Sequence, residues 1–223
     1  MTDFTERQAA IAHYLFVLGA IKFGEFKLKL HETNPEAPLS PIYLNLRTPD
    51  NKGGPLTPDV LRLIGTEFAY RIHTSGMVFD HVAGVPRAGE PFADALVAVL
   101  MQRRPGILRM SKRTDGDHRT VDDIYQGGYS PGDTVLIVDD LITRAGSKVE
   151  TVRTLVNHGL KASDCIVLVD RCQGGGQELF DQTGVQLHAI FRLTDLLEFY
   201  VSDRRISAEE RDTVLSYLAA TQP

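Results

Sequence analysis

The sequence contains little cysteine, and the two cysteines that it does contain limit the kinds of site it can build. Cys165 and Cys172 cannot make the framework of bridges that stabilises small secreted domains, and no second pair completes a structural zinc site. We expect one buried thiol and one thiol in a loop. Function must therefore rest on other side chains.

The sequence also lacks an excess of positive charge and a long apolar run. With 24 basic and 29 acidic residues the formal net charge is −5, which does not favour a general nucleic-acid surface. The amino terminus has no basic stretch followed by an apolar segment, and no apolar run approaches the length of a membrane span. We expect a cytoplasmic protein that has neither nucleic acid nor membrane as a partner.

Two common nucleotide-binding motifs are missing as well. No segment has the form G-x-x-x-x-G-K-[ST], and no G-x-G-x-x-G follows a predicted strand. These absences exclude a P-loop and a dinucleotide fingerprint.

What the sequence does contain is an alternation of apolar strands and amphipathic helices. This pattern predicts an α/β fold, a doubly wound and mainly parallel sheet with helices on both faces. The first part of the chain fits the alternation poorly. We therefore predict that residues 1–50 form a helix and a small hood or flap, and that residues 51–223 form one globular α/β core.

Local signals place the ends of several elements. Helices are predicted to start after Thr5 and Ser207, which make capping boxes with Gln8 and Glu210, and after Thr57. Strands are predicted in FKLKL, IYLNLR, FDHVAGV, GILRM, TVLIVDD, DCIVLVD and VQLHAIF. The segment SKRTDGDHRT is predicted to be a polar loop, and no helix is predicted between the last two strands.

The most informative segment is VLIVDDLITRAGS, in which a buried strand runs into Asp139 and Asp140. Ligands of doubly wound sheets bind outside the carboxyl ends of the strands. Residues 143–147 would then supply backbone N–H groups that lead into a helix near Gly146, an arrangement that binds anions. Two carboxylates beside a phosphate site suit the hydroxyls of a phosphorylated sugar, or Mg²⁺. Receiver domains and nucleotide hydrolases also have strands that end in two aspartates, so these alternatives stay open at this point.

Several separated segments resemble type I phosphoribosyltransferases, and orotate phosphoribosyltransferases in particular. VLIVDDLITRAGS resembles the motif of that superfamily for 5-phosphoribosyl 1-diphosphate (PRPP). FGEFKLKL and SPIYLNLR resemble the amino-terminal pattern F-G-x-F-x-L-K and S-P-x-Y-x-N of the orotate family. The stretch from VLVDRCQGGG to LTDLLE resembles the family's D-R-x-x-G-G loop with its final strand and helix. The resemblance covers most of the chain.

The resemblance implies roles for the acidic pair and the turn after it. Asp139 and Asp140 would contact the ribose hydroxyls, although Asp139 could instead cap the following turn. Lys29 matches a lysine that reaches the phosphates, and its alternative is a solvated lysine on an edge strand. Five residues would wrap the 5-phosphate: Thr143, Arg144, Ala145, Gly146 and Ser147.

The resemblance also implies a site for the base. Tyr43 and Leu44 match positions that pack on the pyrimidine ring, with ordinary core packing as the alternative. Arg171 matches the arginine that binds orotate, and a planar guanidinium offers bidentate hydrogen bonds to a carboxylate. The alternative for Arg171 is a salt bridge to Asp170 or Glu178, of which Asp170 points to the opposite face of the strand.

The segment SKRTDGDHRT aligns with a mobile family loop that closes over the active site of a neighbouring subunit. Lys112 and Arg113 hold its basic doublet and His118 its final histidine, while Gly116 replaces a lysine. A solvated, disordered charge run is the alternative.

A second departure lies in GVPRAGEP, where the family has Y-K-G. Arg87 and Ala88 stand there, so the lysine is missing and Arg87 could restore a cation one residue earlier.

The resemblance implies an orotate phosphoribosyltransferase of pyrimidine nucleotide synthesis that acts as a homodimer on PRPP and orotate. Mg²⁺ is the implied cofactor; PRPP would carry it, and Asp139 and Asp140 are candidate ligands. A ring nitrogen of orotate would displace diphosphate from the ribose C1, a reaction that depends on positioning and electrostatic stabilisation. Two alternatives remain: transfer to another nucleobase, and a non-catalytic protein that binds PRPP as a signal.

Overall fold

The computed structural model describes residues 4–27, 31, 34–51, 53–100, 105–115 and 118–221. Its helices are α1 (Glu6–Val17), α2 (Pro58–Ser75), α3 (Glu90–Val99), α4 (Gly146–Asn157), α5 (Gly175–Thr183), α6 (Leu193–Ser202) and α7 (Ala208–Ala220). Its strands are β1 (Ile21–Phe26), β2 (Ser40–Leu44), β3 (His81–Gly84), β4 (Gly106–Asp115), β5 (His118–Gln126), β6 (Val135–Ile142), β7 (Asp164–Asp170) and β8 (Gln186–Arg192).

Six strands form one sheet in the order β5-β4-β3-β6-β7-β8. Five of them run parallel, and β5 pairs antiparallel with β4 at one edge. The central strand β6 is buried from Val135 to Val138, so both faces of the sheet must be covered. The prediction of a mainly parallel sheet with helices on both faces is confirmed.

The two faces carry separate cores because successive side chains of a strand point to opposite sides. Leu136 and Val138 pack in the larger core, with side chains of α1, α2, α3, α6 and α7. Ile137 packs in the second core, with α4 and α5. The two cores thereby cover both faces of the sheet.

The N-terminal segment shares the larger core. β1 and β2 form a two-stranded antiparallel sheet in which Ile21 pairs with Leu44. The hydroxyl of Tyr200 on α6 donates a hydrogen bond to the carbonyl of Ala12 on α1, at 2.8 Å. The division of the chain at residue 50 stays a prediction.

The predicted helix starts are confirmed, since Thr5 and Ser207 form capping boxes and the Thr57 side chain accepts a hydrogen bond from Val60 N. The strand predicted at 26–30 lies earlier, at Ile21–Phe26, and residues 28–30 lie outside the described residues. In the described ranges no helix is both long and apolar enough to cross a membrane.

The polar-loop prediction for residues 111–120 is wrong, because β4 and β5 form a hairpin there. Strand β5 has few apolar residues, and its attachment to α4 is polar: Val121 N donates to Glu150 Oε2 at 3.2 Å, and Thr154 Oγ1 donates to Val121 O at 3.2 Å. A pattern of apolar residues could not reveal a strand held in this way.

Helix α5 is the other element that the sequence patterns miss. Parallel neighbouring strands need a crossover connection, and α5 connects β7 to β8. The helix starts at Gly175 and is short and mostly polar, so it contains too few apolar residues for their spacing to reveal a helix.

Candidate active site

The carboxyl ends of β3, β6 and β7 lie next to one another, at the end of the sheet where the parallel strands finish. Gly84 at the end of β3 pairs with Val138, and Ile142 at the end of β6 pairs with Asp170 at the end of β7. The acidic pair therefore lies between the loop that follows β3 and the loop that follows β7. The pairing of these strands therefore brings most of the predicted site segments together at the carboxyl-terminal end of the sheet.

The two aspartates differ in their surroundings. Asp139 is 3% exposed, and its Oδ1 accepts a hydrogen bond from Asp140 N at 3.0 Å while its Oδ2 accepts one from Lys148 Nζ at 2.5 Å. Asp140 is half-buried and accepts from Leu141 N at 2.7 Å. Burial and the neighbouring Asp139 carboxylate raise the pKa of Asp140 to about 8, although Lys148 opposes the shift. Among the described residues, Asp139 thus forms an ion pair with a buried cation and Asp140 forms none.

Lys148 is the functional candidate that sequence reasoning misses. It lies in the first turn of α4, is 3% exposed, and also donates to the carbonyl of Leu141 at 2.6 Å. Burial lowers the pKa of Lys148, but the carboxylate of Asp139 and the groups of Cys165 and Asp140 outweigh it, so the pKa is raised and the side chain stays protonated. The signal in the sequence is spacing, because Lys148 precedes Val152 and Leu155 by four and seven residues and so shares their face of the helix.

The turn at residues 143–147 has the geometry of an anion site. Helix α4 begins at Gly146, and Ala145 before it caps the helix without a side-chain hydrogen bond. The first N–H groups of a helix have no intrahelical acceptor and attract anions. A carboxylate lies here, since Glu178 Oε2 accepts from Ala145 N and from Arg144 Nε, both at 3.1 Å. The turn therefore already binds an anionic group of this chain.

Arg171 follows directly after β7 and is 7% exposed. Its Nε and Nη2 are buried and have no hydrogen-bond partner within the described part of the chain. Burial lowers its pKa. Neither Asp170 nor Glu178 forms an ion pair with it among the described residues; Asp170 accepts from Cys172 N, and Glu178 pairs with Arg144. The salt bridges that were the alternative for Arg171 are not formed.

The C-terminal helix reaches the neighbourhood of this arginine. Gln173 is 6% exposed, its Nε2 donates to Thr221 Oγ1 at 2.8 Å, and its Oε1 is buried without a partner among the described residues. Tyr217 of α7 lies close enough to Arg171 to oppose the lowering of its pKa. Two residues apart in the chain, Arg171 thus has unpaired buried donors and Gln173 an unpaired buried acceptor among the described residues, and a polar ring ligand could satisfy both kinds of group.

The hood contributes less than the resemblance implies. Leu44 is 8% exposed and packs in the larger core, which is the alternative stated for it. Tyr43 is half-buried, and its ring centroid lies 5.6 Å from that of Phe26. Adjacent residues of a strand face opposite sides, so only one of the two can face a base on a given side. Lys29 lies outside the described residues.

Two of the predicted cations, Arg87 and Lys112, act on one glutamate. Burial and the charge of Asp94 raise the pKa of Glu90, while the charges of Arg109, Arg87 and Lys112 lower it. Arg87 is exposed, and its peptide bond to Pro86 is cis. Arg87 and Arg109 line a cavity of about 900 Å³.

The hairpin separates the basic doublet. Lys112 pairs with Val121 and Arg113 with Thr120, so the two basic side chains leave opposite faces of β4. His118 begins β5, and Gly116 lies outside the described residues. The part of the hairpin that carries the doublet is thus regular strand.

Known proteins resemble this chain over most of its length. A family model described as the phosphoribosyl transferase domain matches residues 59–192. A uridine 5′-monophosphate synthase of Caenorhabditis elegans is 29% identical over 213 residues, which are 94% of this chain and 40% of the relative. An orotate phosphoribosyltransferase of the same organism is 27% identical over 98% of this chain and 86% of its own length. The solved orotate phosphoribosyltransferase of Francisella tularensis is 19% identical, with a TM-score of 0.72 over 95% of this chain and 98% of its own. The chain thus spans less than half the length of the synthase.

Proposed function

Because the chain belongs to the phosphoribosyl transferase domain family, we propose that it transfers the phosphoribosyl group of PRPP to orotate. The products are orotidine 5′-monophosphate and diphosphate, so the reaction belongs to pyrimidine nucleotide synthesis. The observation that carries the choice of orotate is the buried guanidinium of Arg171, whose Nε and Nη2 have no partner among the described residues. Buried unpaired donors are costly, and a carboxylate-bearing ring would satisfy them.

Different residues of the site contact different parts of the two substrates. The N–H groups of residues 143–147 bind the 5-phosphate, with Ala145 N released from Glu178, and the acidic pair lies at the ribose hydroxyls. Arg171 and Gln173 orient the base so that a ring nitrogen faces the ribose C1. Bond formation at C1 releases diphosphate with its electron pair, and no side chain needs to act as a covalent nucleophile.

In this proposal Mg²⁺ binds together with the diphosphate group of PRPP. Among the described residues no group of three or more His, Cys, Asp or Glu side chains is placed to hold a metal ion. Both carboxylate oxygens of Asp139 accept hydrogen bonds from the protein, whereas Asp140 forms no ion pair in the described part of the chain. The residues fit an ion that brings oxygen ligands from PRPP and takes one from Asp140. Bound Mg²⁺ would neutralise charge on the leaving diphosphate.

We further propose a homodimer in which the β4–β5 hairpin of one subunit reaches the site of the other. Lys112 and Arg113 support this, since both are exposed on a hairpin at the edge of the sheet. Their charges would then stabilise the diphosphate from outside the subunit that binds it.

A panel of bases tests the substrate. Diphosphate release is followed with PRPP, Mg²⁺ and either orotate, uracil, adenine or hypoxanthine. We expect the highest kcat/KM with orotate. A preference for another base would identify a different phosphoribosyltransferase, and PRPP binding without release for any base would identify a regulator.

A further inference from the structure

Lys148 and Asp139 form an ion pair below the surface of the candidate site. Both side chains are 4% exposed, and the Nζ–Oδ2 distance is 2.5 Å. The other oxygen of Asp139 accepts from Asp140 N at 3.0 Å, and Lys148 Nζ also donates to Leu141 O at 2.6 Å. Asp139 therefore has protein donors on both oxygens before any substrate arrives.

A lysine at this position is unfavourable without that partner. It lies in the first turn of α4, where the helix dipole disfavours a positive charge, and an unpaired buried ammonium carries a large desolvation cost. Its neighbours Val149 and Val152 pack in the second core, and the nearby Cys165 is fully buried. Burial raises the pKa of that thiol to about 12, so Cys165 cannot replace Asp139 as a counter-ion.

We propose that Lys148 is a positioning residue that holds Asp139 as its permanent counter-ion, so that Asp140 alone meets the ribose hydroxyls and the metal ion carried by PRPP. This inference rests on the proposed function and narrows it, because the two aspartates then have different tasks. When both aspartates are ionised, as in a complex with a divalent cation, Lys148 brings the net charge of the three side chains to −1 instead of −2. A divalent cation is then bound only together with PRPP.

The test measures Mn²⁺ binding to the free protein, without PRPP or orotate, by electron paramagnetic resonance. We expect weak binding by the wild type and by Lys148→Arg, which keeps the cation. Lys148→Met leaves two adjacent carboxylates without a cation, and we expect at least about tenfold tighter Mn²⁺ binding from the lost repulsion. The double variant Asp139→Asn, Lys148→Met has one carboxylate and should return to the affinity of the wild type.

Lys148→Gln covers the case in which Lys148→Met does not fold, because glutamine still donates a hydrogen bond to Asp139. It should also bind Mn²⁺ about tenfold more tightly, since the charge is lost. Equal Mn²⁺ affinity of the wild type and the folded neutral variants would overturn the proposal, as would tight binding by the wild type. No base is present, so a failure of orotate transfer in the panel of bases would leave this result unaffected.

Discussion

At the scale of single residues, the candidate site places buried charges beside one another and gives partners to only some of them. Asp139 has Lys148, whereas the guanidinium of Arg171 keeps two nitrogens unpaired among the described residues. Buried polar groups without partners are rare in folded proteins and are concentrated at functional sites. In the proposed function, Arg171 is therefore the residue that selects orotate.

Arg171→Ala should raise the KM for orotate and leave PRPP binding within about twofold. Loss of charge-assisted hydrogen bonds worth about 1.5–3 kcal/mol corresponds to roughly a ten- to hundredfold rise in KM. Arg171→Lys is the matched control, because it keeps the charge and loses the bidentate geometry. Its KM for orotate should lie between those of the wild type and Arg171→Ala. Steady-state kinetics with each substrate varied provides the measurement. An equal loss for both substrates would mean that the arginine supports the fold instead.

Asp140→Asn should weaken the use of PRPP and stabilise the protein. Bound Mg²⁺ would keep Asp140 ionised in the complex with PRPP, so the lost charge-assisted bond to a ribose hydroxyl costs about 1.5–3 kcal/mol in kcat/KM for PRPP. The pKa of Asp140 is raised to about 8, so ionising it opposes folding, and this penalty grows as the pH rises from about 4 to 8. At pH 7 the gain in unfolding free energy is at most about 4 kcal/mol, measured by urea denaturation. Wild-type activity, or a loss of stability at pH 7, would contradict this account.

At the scale of elements, the site depends on loops that touch the ends of the parallel strands. Val85 N donates to Val138 O at 2.9 Å, so the loop after β3 lies directly against the strand that carries the aspartates. A Cβ on Gly89 would collide with the backbone of Val138, Val85 and Asp139. Only glycine permits this close approach.

Gly89→Ala should therefore displace either the loop or the end of β6. We expect a loss of about 1–3 kcal/mol in unfolding free energy and a higher KM for PRPP. Gly128→Ala is the control, because nothing lies within 4 Å of its added Cβ. Thermal unfolding of both variants checks the prediction. Equal melting temperatures would show that the loop accommodates the added Cβ without loss of stability.

Sequence predicts some of these elements and not others, for physical reasons. Strand β6 is buried on both faces and shows as an apolar run, and hydroxyl caps mark the starts of α1, α2 and α7. Strand β5 is held by polar contacts to α4, so its sequence looks like a loop. Lys148 looks like a solvated lysine until the fold places it beside Asp139. The contact of Gln173 with Thr221 joins residues far apart in the chain, which local patterns cannot predict.

At the scale of the whole molecule, the N-terminal segment and the α/β core are joined by shared packing and by buried polar contacts. Arg7 Nη1 donates to Glu67 Oε2 at 3.0 Å, and Glu67 is 1% exposed. Tyr200 is fully buried, its ring lies 5.2 Å from that of Phe16, and burial raises its pKa. Helix α1, which precedes the two hood strands in the chain, is thereby held against the core.

Tyr200→Phe removes the hydroxyl that donates to Ala12 O and leaves that buried carbonyl without this donor. We expect a loss of about 0.5–1.5 kcal/mol in unfolding free energy, because Ala12 O lies within α1 and keeps its helical hydrogen bond. Tyr125→Phe is the control, since Tyr125 is 63% exposed and should change stability little. Urea denaturation of the two variants measures the difference. Equal midpoints would show that the hydrogen bond from Tyr200 to Ala12 O does not stabilise the protein.

The most direct test of the central claim is the consumption of orotate by the wild-type protein. Orotate absorbance and diphosphate release are followed together, with PRPP and Mg²⁺ both present and with each omitted in turn. The account predicts that orotate disappears in step with diphosphate release only when PRPP and Mg²⁺ are both present, and that orotidine 5′-monophosphate accumulates in equal amount. Bound PRPP with unchanged orotate, in a folded protein, would contradict it.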